Sequence, residues 1–242
     1  MATRLALAFH AAGAKVVSVS AAHEESAKRL AELVEAEAKP VSQIAADVDY
    51  VVIAVSDKAV ADVAEAMPDT RAVVVHTSGS VPMQTLAQRF SSAGVLYPLQ
   101  TFSRDVEVNV ADVPFFTEAT GADVLASVDD LAHLLSRHVY HADSEQRKSL
   151  HVAGVLTSNF PIYLLEIARQ ALAKAGYPLD VVAPLARVSI EKAFAVGPRD
   201  ALTGPARRGD VAVTELQARS LPPTHRAIYE AITQAIFKDY HE

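Results

Sequence analysis

The chain has 242 residues, of which 50% are apolar and 21% are charged. This is an ordinary globular composition with room for one large domain or two small ones. The formal net charge of −7 argues against a nucleic-acid surface, and the absence of cysteine excludes disulfides, thiolate metal sites and a cysteine nucleophile.

Short β-branched runs alternate with helical patterns in the first half of the chain. This alternation predicts a parallel sheet flanked by helices. The predicted elements, in chain order, are a helix over 2–12 that stops at Gly13, a strand over 15–19, a helix over 24–37, a strand over 50–55, a helix over 58–67, a strand over 72–75, a helix from the N-cap Ser80 to about Phe90, strands over 95–97 and 114–117, and a helix over 121–136.

The pattern becomes entirely helical after about residue 143. One helical stretch covers 144–176 and contains Pro161, which is expected to kink or break it. Further helices are predicted over 179–195, 211–218 and 224–240. The fold class is therefore α/β: a Rossmann-like parallel-sheet domain over 1–142, followed by an all-α domain over 143–242.

The chain begins inside what reads as the first helix of a dinucleotide-binding fold. Such folds normally open with a central strand and a glycine-rich turn that faces the cofactor pyrophosphate. No G-x-G-x-x-G occurs here, and the chain has only 9 glycines. Either about 10 to 12 residues precede Met1 in the natural protein, which is the favoured reading, or the chain is shortened and its neighbouring strands lose a partner.

Polar residues follow three of the predicted strands, at the edge where ligands of open α/β sheets bind. The candidates for contact with a cofactor are Ser20, Ser56, Asp57, His76, Thr77, Ser78 and Gly79. Ser78 is also a candidate catalytic hydroxyl, and Ser80 a candidate substrate contact. Each has a structural alternative as a turn or helix-cap residue. Neither an acidic residue, which would favour NAD, nor an arginine, which would favour NADP, stands at the end of the strand predicted over 15–19. This position therefore does not distinguish the two cofactors.

The long helix carries a polar cluster. Arg147, His151 and Ser158 fall near one helical line at 100° per residue, with Asn159 at the edge of the same face. His151 is a candidate general acid for a hydride-transfer reaction, with Asn159 beside it. A hydrogen-bonded core or interface role for His151 is the alternative, and it is narrowly favoured.

Two groups of motifs resemble a known family. They are 76–82 together with 94–103, and Leu202-Thr203-Gly204-Pro205 followed by Arg208-Gly209-Asp210. They are similar to Rossmann-like proteins with a DUF2520 domain, in the 6-phosphogluconate dehydrogenase-like group near pyrroline-5-carboxylate reductase. The resemblance implies an oxidoreductase with NADP as cofactor, NAD being the alternative, and a helical dimerisation domain. It also implies that the loop with Gly204 and Pro205 faces the active site and contacts substrate. Arg208 in this loop is a candidate to bind a substrate carboxylate or phosphate, and a surface loop with solvated arginines is the alternative.

The expected function is hydride transfer to or from a small carbonyl or imine compound. The alternative is a non-catalytic scaffold that has lost its cofactor site. We expect a homodimer through the helical domain and no metal, since the histidines lack metal-ligand spacing. Uncharged stretches end before about 18 residues and no signal peptide is present, so we expect no membrane span and a cytoplasmic location.

Overall fold

A computed structural model of the chain describes residues 1–44, 47–102, 106 and 108–241. These residues form two compact units, Met1–Ser158 (unit 1) and Asn159–Glu242 (unit 2). The division into sequence domains at 142/143 stays a prediction.

The described part of unit 1 contains strands and helices in alternation, as predicted. They are α1 (Ala2–Ala11), β1 (Ser18–Val19), α2 (Glu24–Leu33), β2 (Glu37–Ala38), β3 (Tyr50–Ile53), α3 (Val60–Ala66), β4 (Val73–His76), α4 (Gln84–Ala87), β5 (Ala93–Pro98), β6 (Phe115–Ala119), α5 (Ala122–His133), β7 (Val139–His141) and α6 (Ser144–Gly154). Short 3-10 turns occupy Val41–Gln43, Asp57–Ala59 and Val110–Asp112.

The described strands form two separate sheets. β1 and β2 pair in parallel, and a five-stranded sheet has the order β3-β4-β5-β6-β7. β3, β4 and β5 are parallel, while β6 runs antiparallel to β5. β3 is therefore an edge strand of the larger sheet, and three of its four residues are partly exposed. The predicted Rossmann-like sheet is confirmed as mainly parallel, with one antiparallel pairing.

Helices cover both faces of the larger sheet. Because successive side chains of a strand point to opposite faces, the neighbours Val74 and Val75 belong to different apolar clusters. Val75 and Leu96 pack with residues of α1 and α5, including Leu5. Val74 packs on the other face, with residues of α3 and α4. This two-sided burial is why the strand sequences are nearly continuously apolar.

Two predicted elements were wrong in detail. The helix predicted over 24–37 ends at Leu33, because Glu35 adopts a left-handed conformation (φ 54°) and the chain then pairs with β1 as β2. The helix predicted to begin at Ser80 is confined to Gln84–Ala87, with Met83 at its N-cap position. In both cases a contact with another segment replaced the locally favoured helix.

The helical stretch over 144–174 is interrupted where the sequence indicated. α6 is followed by a π-helix at Val155–Asn159, immediately before Pro161. Proline has no N–H to donate and crowds the preceding turn, which is a common cause of such irregularities. The π-helix changes the angle per residue, so the helical line drawn through Ser158 does not hold.

The regular elements in the described part of unit 2 are all helical. Its helices are α7 (Phe160–Lys174), α8 (Ala183–Val196), α9 (Pro198–Ala201), α10 (Pro205–Arg208), α11 (Val211–Arg219) and α12 (Pro223–His241), with a 3-10 turn at Leu179–Val182. Asp210 caps α11 by accepting a hydrogen bond from the Val213 N–H.

By length and hydropathy alone, one described stretch would cross a bilayer, contrary to the expectation from the sequence. It is Ser144–Lys174, with a mean hydropathy of 1.2 over its best window. Arg147 near its start is 1% exposed and paired with Glu118 of β6. The first turns of this stretch therefore pack against protein in unit 1.

Candidate functional site

The loops after β3 and β4 meet at one edge of the sheet. Both strands run parallel, so their carboxyl ends lie at the same edge. The Ser80 hydroxyl donates a short hydrogen bond to the carboxylate of Asp57, which joins the two loops directly. The structure therefore brings together the residues that the sequence singled out after these two strands.

The Ser78 side chain shapes the loop after β4. Its hydroxyl oxygen accepts hydrogen bonds from the backbone N–H groups of Ser80 (3.1 Å) and Val81 (3.0 Å). Ser78 thus closes a turn within the loop, and the N-cap role predicted for Ser80 was wrong, because the Ser80 hydroxyl binds Asp57 instead. Ser78 is 7% exposed, so it acts from within the loop.

His76 lies beneath this loop as a neutral imidazole. The Ser78 N–H donates to its Nδ1 at 3.2 Å, and the residue is fully buried. Burial, reinforced by the positive charge of Arg147, lowers the pKa of His76 to about 4. The Pro82 carbonyl opposes this shift, yet Nε2 makes no hydrogen bond of normal geometry to any described residue. His76 supports the loop from below.

Arg147 of α6 ties the loop to the sheet. Its guanidinium donates to the carbonyl oxygens of Ser78 (3.2 Å) and Val81 (2.7 Å), and forms a short ion pair with Glu118 of β6. The hydroxyl of Ser144 donates to the same carboxylate. Because this buried arginine bonds two carbonyl oxygens, a carboxylate and a hydroxyl of the protein itself, its role is to hold the loop against the sheet.

The most closely packed point of the site lies at Gly79. A Cβ atom on this residue would lie 2.7 Å from Cζ of Tyr97 and 2.8 Å from Nδ1 of His151. The Tyr97 hydroxyl and His151 Nδ1 are 3.2 Å apart and share a hydrogen bond. Glycine is required here by this close approach, because any side chain would separate the pair.

Tyr97 was not among the residues predicted from the sequence. It lies near the carboxyl end of β5, the third parallel strand, and is 6% exposed. The signal that could have identified it is its position one residue before the strand ends, at the same edge of the sheet as the other two loops. Its partner His151 is 54 residues away in the chain, a pairing that no local pattern reveals.

Ser56 and Thr77 hold different positions at this edge. Ser56 is exposed at the N-cap position of the Asp57–Ala59 turn, and its side chain makes no capping hydrogen bond. Thr77 is 5% exposed, and its N–H donates to the Ile53 carbonyl (3.2 Å). Ser56 therefore presents an available hydroxyl, while Thr77 continues the pairing of β4 with β3. Both stay predictions as cofactor contacts, as does Ser20, which directly follows β1.

The remaining predicted residues belong to the π-helix after α6 and to unit 2. The Ser158 hydroxyl donates to the Gly154 carbonyl within the helix at 2.7 Å. Asn159 is the first residue of unit 2, and its catalytic role stays a prediction. Gly204 (φ +105°) and Pro205 open α10, which ends at the exposed Arg208. Arg208 borders a shallow cleft of about 530 Å³ that Thr203 and His241 also line.

Comparison with known proteins identifies sequence families for both parts of the chain. Residues 1–100 match the family described as a Rossmann-like domain, and residues 113–236 match a domain of unknown function, DUF2520. None of the curated proteins compared with the chain matches it.

Several solved structures share the fold. A Bacteroides fragilis protein named by inference as an NADP oxidoreductase is 36% identical, with a TM-score of 0.90 over 98% of this chain and 94% of that one. A Thermotoga maritima protein is 22% identical, with a TM-score of 0.81 over 99% and 96%. A reductive aminase of Aspergillus terreus, solved in complex with NADPH4, is 14% identical, with a TM-score of 0.72 over 99% and 90%. The likenesses to the last two concern the fold alone.

Proposed function

The chain belongs to the DUF2520 family of Rossmann-like proteins, and from this premise we propose that it is an NADP-dependent oxidoreductase acting on a small carbonyl or imine compound. The observation that carries the proposal is the convergence of polar groups at the carboxyl edge of the parallel strands. There, Gly79 leaves room for the Tyr97–His151 pair above a loop that Arg147 and His76 hold in place.

The cofactor and substrate class draw on the relatives. The Bacteroides fragilis protein carries the NADP oxidoreductase description, and the Aspergillus terreus enzyme was solved with cyclohexanone and allyl amine. An imine reductase of Myxococcus stipitatus was solved with NADP+, and a variant of it with NAD+. We therefore assign NADP to this chain, with NAD as the alternative cofactor.

The residues present fit the nicotinamide side of such a cofactor. When bound, NADPH supplies a hydride. Ser56 offers an exposed hydroxyl. The hydrogen bond between Ser80 and Asp57 joins the two loops at the edge of the sheet where a ribose would lie. The proposed cofactor contacts are Ser20, Ser56, Asp57, His76, Thr77, Ser78 and Gly79. The sequence contains no glycine-rich turn for the pyrophosphate, so these residues account for one side of the cofactor only.

His151 is the proposed proton donor. Its side chain is exposed and is fixed at one nitrogen by Tyr97, and an imidazole exchanges protons near neutral pH. Reduction of a carbonyl or imine needs one proton at the oxygen or nitrogen, which His151 is positioned to give. Ser78 and Asn159 are proposed as further catalytic residues, and Ser80, Gly204, Pro205 and Arg208 as substrate contacts.

Calorimetric titration with NADPH tests the proposal. We expect saturable binding that weakens at least tenfold in Ser56→Asp, because the new carboxylate repels the cofactor phosphates. Ser91→Asp is the matched control: Ser91 is exposed before β5, at the opposite edge of the sheet, and should bind NADPH as the unchanged protein does. Equal weakening in both variants, or no saturable binding at all, would refute the cofactor assignment.

A non-catalytic binding protein is the second candidate. The observation that favours it is the separation of the described strands into two sheets, β1-β2 and β3-β7. A Rossmann cofactor site normally spans one continuous sheet. The same titration decides between the two: a folded protein with no affinity for NADPH or NADH would support this candidate.

We also propose that unit 2 associates with a second copy of the chain. α7 and α8 contain no buried residue, and α8 exposes Leu185 (70%), Val188 (61%) and Phe194 (86%). Large apolar side chains exposed in this number on one helix indicate an interaction surface. A second copy is the fitting partner because this surface repeats in every molecule and homodimers are the commonest oligomers.

Sedimentation of the full chain tests the association. We expect a dimer in the absence of detergent, and a monomer for Phe194→Asp, because an interface carboxylate would lose its hydration. Leu134→Asp is the control, since Leu134 is an exposed apolar residue of unit 1 (49%) and its replacement should leave the dimer intact. A monomeric unchanged protein, or one that partitions into lipid vesicles, would contradict the proposal.

A further inference from the structure

The side chain of His151 is hydrogen-bonded to unit 1 through Nδ1. Nδ1 is 3.2 Å from the Tyr97 hydroxyl and lies against the space that a Cβ of Gly79 would fill. The two rings meet nearly edge-on, with centroids 6.3 Å apart and planes at 61°. The side chain as a whole is exposed. The nitrogen left for solvent or a ligand is therefore Nε2.

The two nitrogens of an imidazole are not equivalent once one of them is bonded. The hydrogen bond at one nitrogen sets the tautomer and the orientation of the ring, and hence what the other nitrogen presents. A tyrosine hydroxyl suits this position because it both donates and accepts, so it keeps its bond to Nδ1 when His151 gains or loses a proton. Burial raises the pKa of Tyr97, so its phenol stays protonated at neutral pH.

Tyr97 is itself held rigidly. It is 6% exposed, and its ring lies in an aromatic row with Phe116 (centroids 6.4 Å apart), which in turn stacks on Tyr140 (5.5 Å). The phenol hydroxyl therefore reaches His151 from a fixed point on the sheet. A flexible partner would not select one ring orientation.

We propose that Tyr97 is a positioning residue that holds the His151 ring through Nδ1 and leaves Nε2 to exchange a proton with the substrate. The reactive role of Nε2 rests on the proposed function, whereas the bond at Nδ1 does not. In the direction of reduction, the doubly protonated ring gives its Nε2 proton to the substrate oxygen or nitrogen and keeps its Nδ1 proton, which it donates to the Tyr97 oxygen. The substrate carbon gains the hydride that NADPH would supply, and solvent restores the proton to Nε2. Tyr97 keeps its own proton throughout.

Tyr97→Phe tests the bond without removing the ring. Two-dimensional ¹⁵N spectra of the ligand-free protein report the protonation of each imidazole nitrogen. We expect unequal Nδ1 and Nε2 shifts for His151 in the unchanged protein, and shifts drawn together by tautomer exchange in Tyr97→Phe. Tyr140→Phe is the matched control: it removes a hydroxyl from the same aromatic row, where Tyr140 is 50% exposed, and should leave the His151 spectrum unchanged.

Kinetics then tests the use of the bond. With NADPH and a carbonyl or imine substrate, we expect kcat of Tyr97→Phe to fall about tenfold and KM to change less than about twofold, because orientation of the acid is lost while binding is kept. Tyr140→Phe should keep both constants. Unchanged His151 shifts in Tyr97→Phe would overturn the proposal, and so would a kcat equal to that of Tyr140→Phe.

The two hypotheses fail in different ways. If the unchanged protein neither binds NADPH nor turns over substrate, the proposed function fails, and the reactive role of Nε2 fails with it. The ¹⁵N spectra would still decide whether Tyr97 holds His151. If NADPH binds and turnover occurs but the spectra show no defined tautomer, the positioning role of Tyr97 fails alone.

Discussion

Replacement of Arg147 by methionine should destabilise the protein severely, because Arg147 is a buried charge that is hydrogen-bonded to Ser78, Val81 and Glu118. Arg147→Met keeps most of the side-chain volume but removes the ion pair to Glu118 and the hydrogen bonds to the Ser78 and Val81 carbonyls. Breaking a buried pair from one side costs about 3–5 kcal/mol. Since Glu118 is 18% exposed and partly hydrated, we expect a loss of about 3–4 kcal/mol.

A second arginine pair of unit 1 supplies the control. Arg137 and Asp112 also form an ion pair, but their side chains are 75% and 55% exposed. Exposed pairs contribute about 0–1 kcal/mol, so Arg137→Met should change the free energy of unfolding by less than about 1 kcal/mol. The double replacement Arg147→Met/Glu118→Leu should recover most of the loss, because no unpaired charge remains.

Urea unfolding followed by circular dichroism measures these differences, since the chain has no tryptophan for fluorescence. The reasoning requires Arg147→Met to cost several times more than Arg137→Met. If the two variants lose equal stability, or if the double replacement is no more stable than Arg147→Met, the buried pair does not hold the loop to the sheet.

Two further predictions concern the same loop. Burial lowers the pKa of His76 from 6.5 to about 4, so between these values the unfolded chain binds a proton that the folded protein does not. The free energy of unfolding should fall as pH drops through this window, by up to about 3 kcal/mol near pH 4. Urea midpoints measured at pH 7 and pH 4 should show a smaller loss of stability for His76→Asn than for the unchanged protein. An equal loss in the two proteins would contradict the assignment of this pH dependence to His76. Gly79→Ala should push Tyr97 and His151 apart and lower kcat at least tenfold, whereas Gly121→Ala, at an extended residue with open space around it, should not; equal kcat values would show that the close approach is not needed.

Local patterns predicted most of unit 1. The apolar runs at β3 and β4 were predicted as buried strands and the run at β5 as a strand, and each lies within two residues of its predicted position. Ends set by short-range chemistry were also predictable: α1 stops before Gly13, which has a positive φ, and Asp210 caps α11. These features depend on neighbours within a few residues.

The candidate site was predictable only as a set of loops. The sequence placed Ser56, Asp57 and 76–80 at one edge, because the carboxyl ends of parallel strands share an edge. It did not show that the Ser78 hydroxyl accepts hydrogen bonds within the loop while the Ser80 hydroxyl binds Asp57. A local sequence pattern does not distinguish between two serines that are two residues apart. The hydrogen bond of Ser80 depends on a segment 23 residues away.

Sequence alone determined the order of the elements, the family and the edge at which polar residues gather, because periodicity and capping act over a few residues. Tertiary structure decided which side chains contact one another at that edge. Tyr97 meets His151 across 54 residues, and Arg147 meets Glu118 across 29. Only the packing of α6 against the sheet brings these side chains together, and only that packing shows why residue 79 is a glycine.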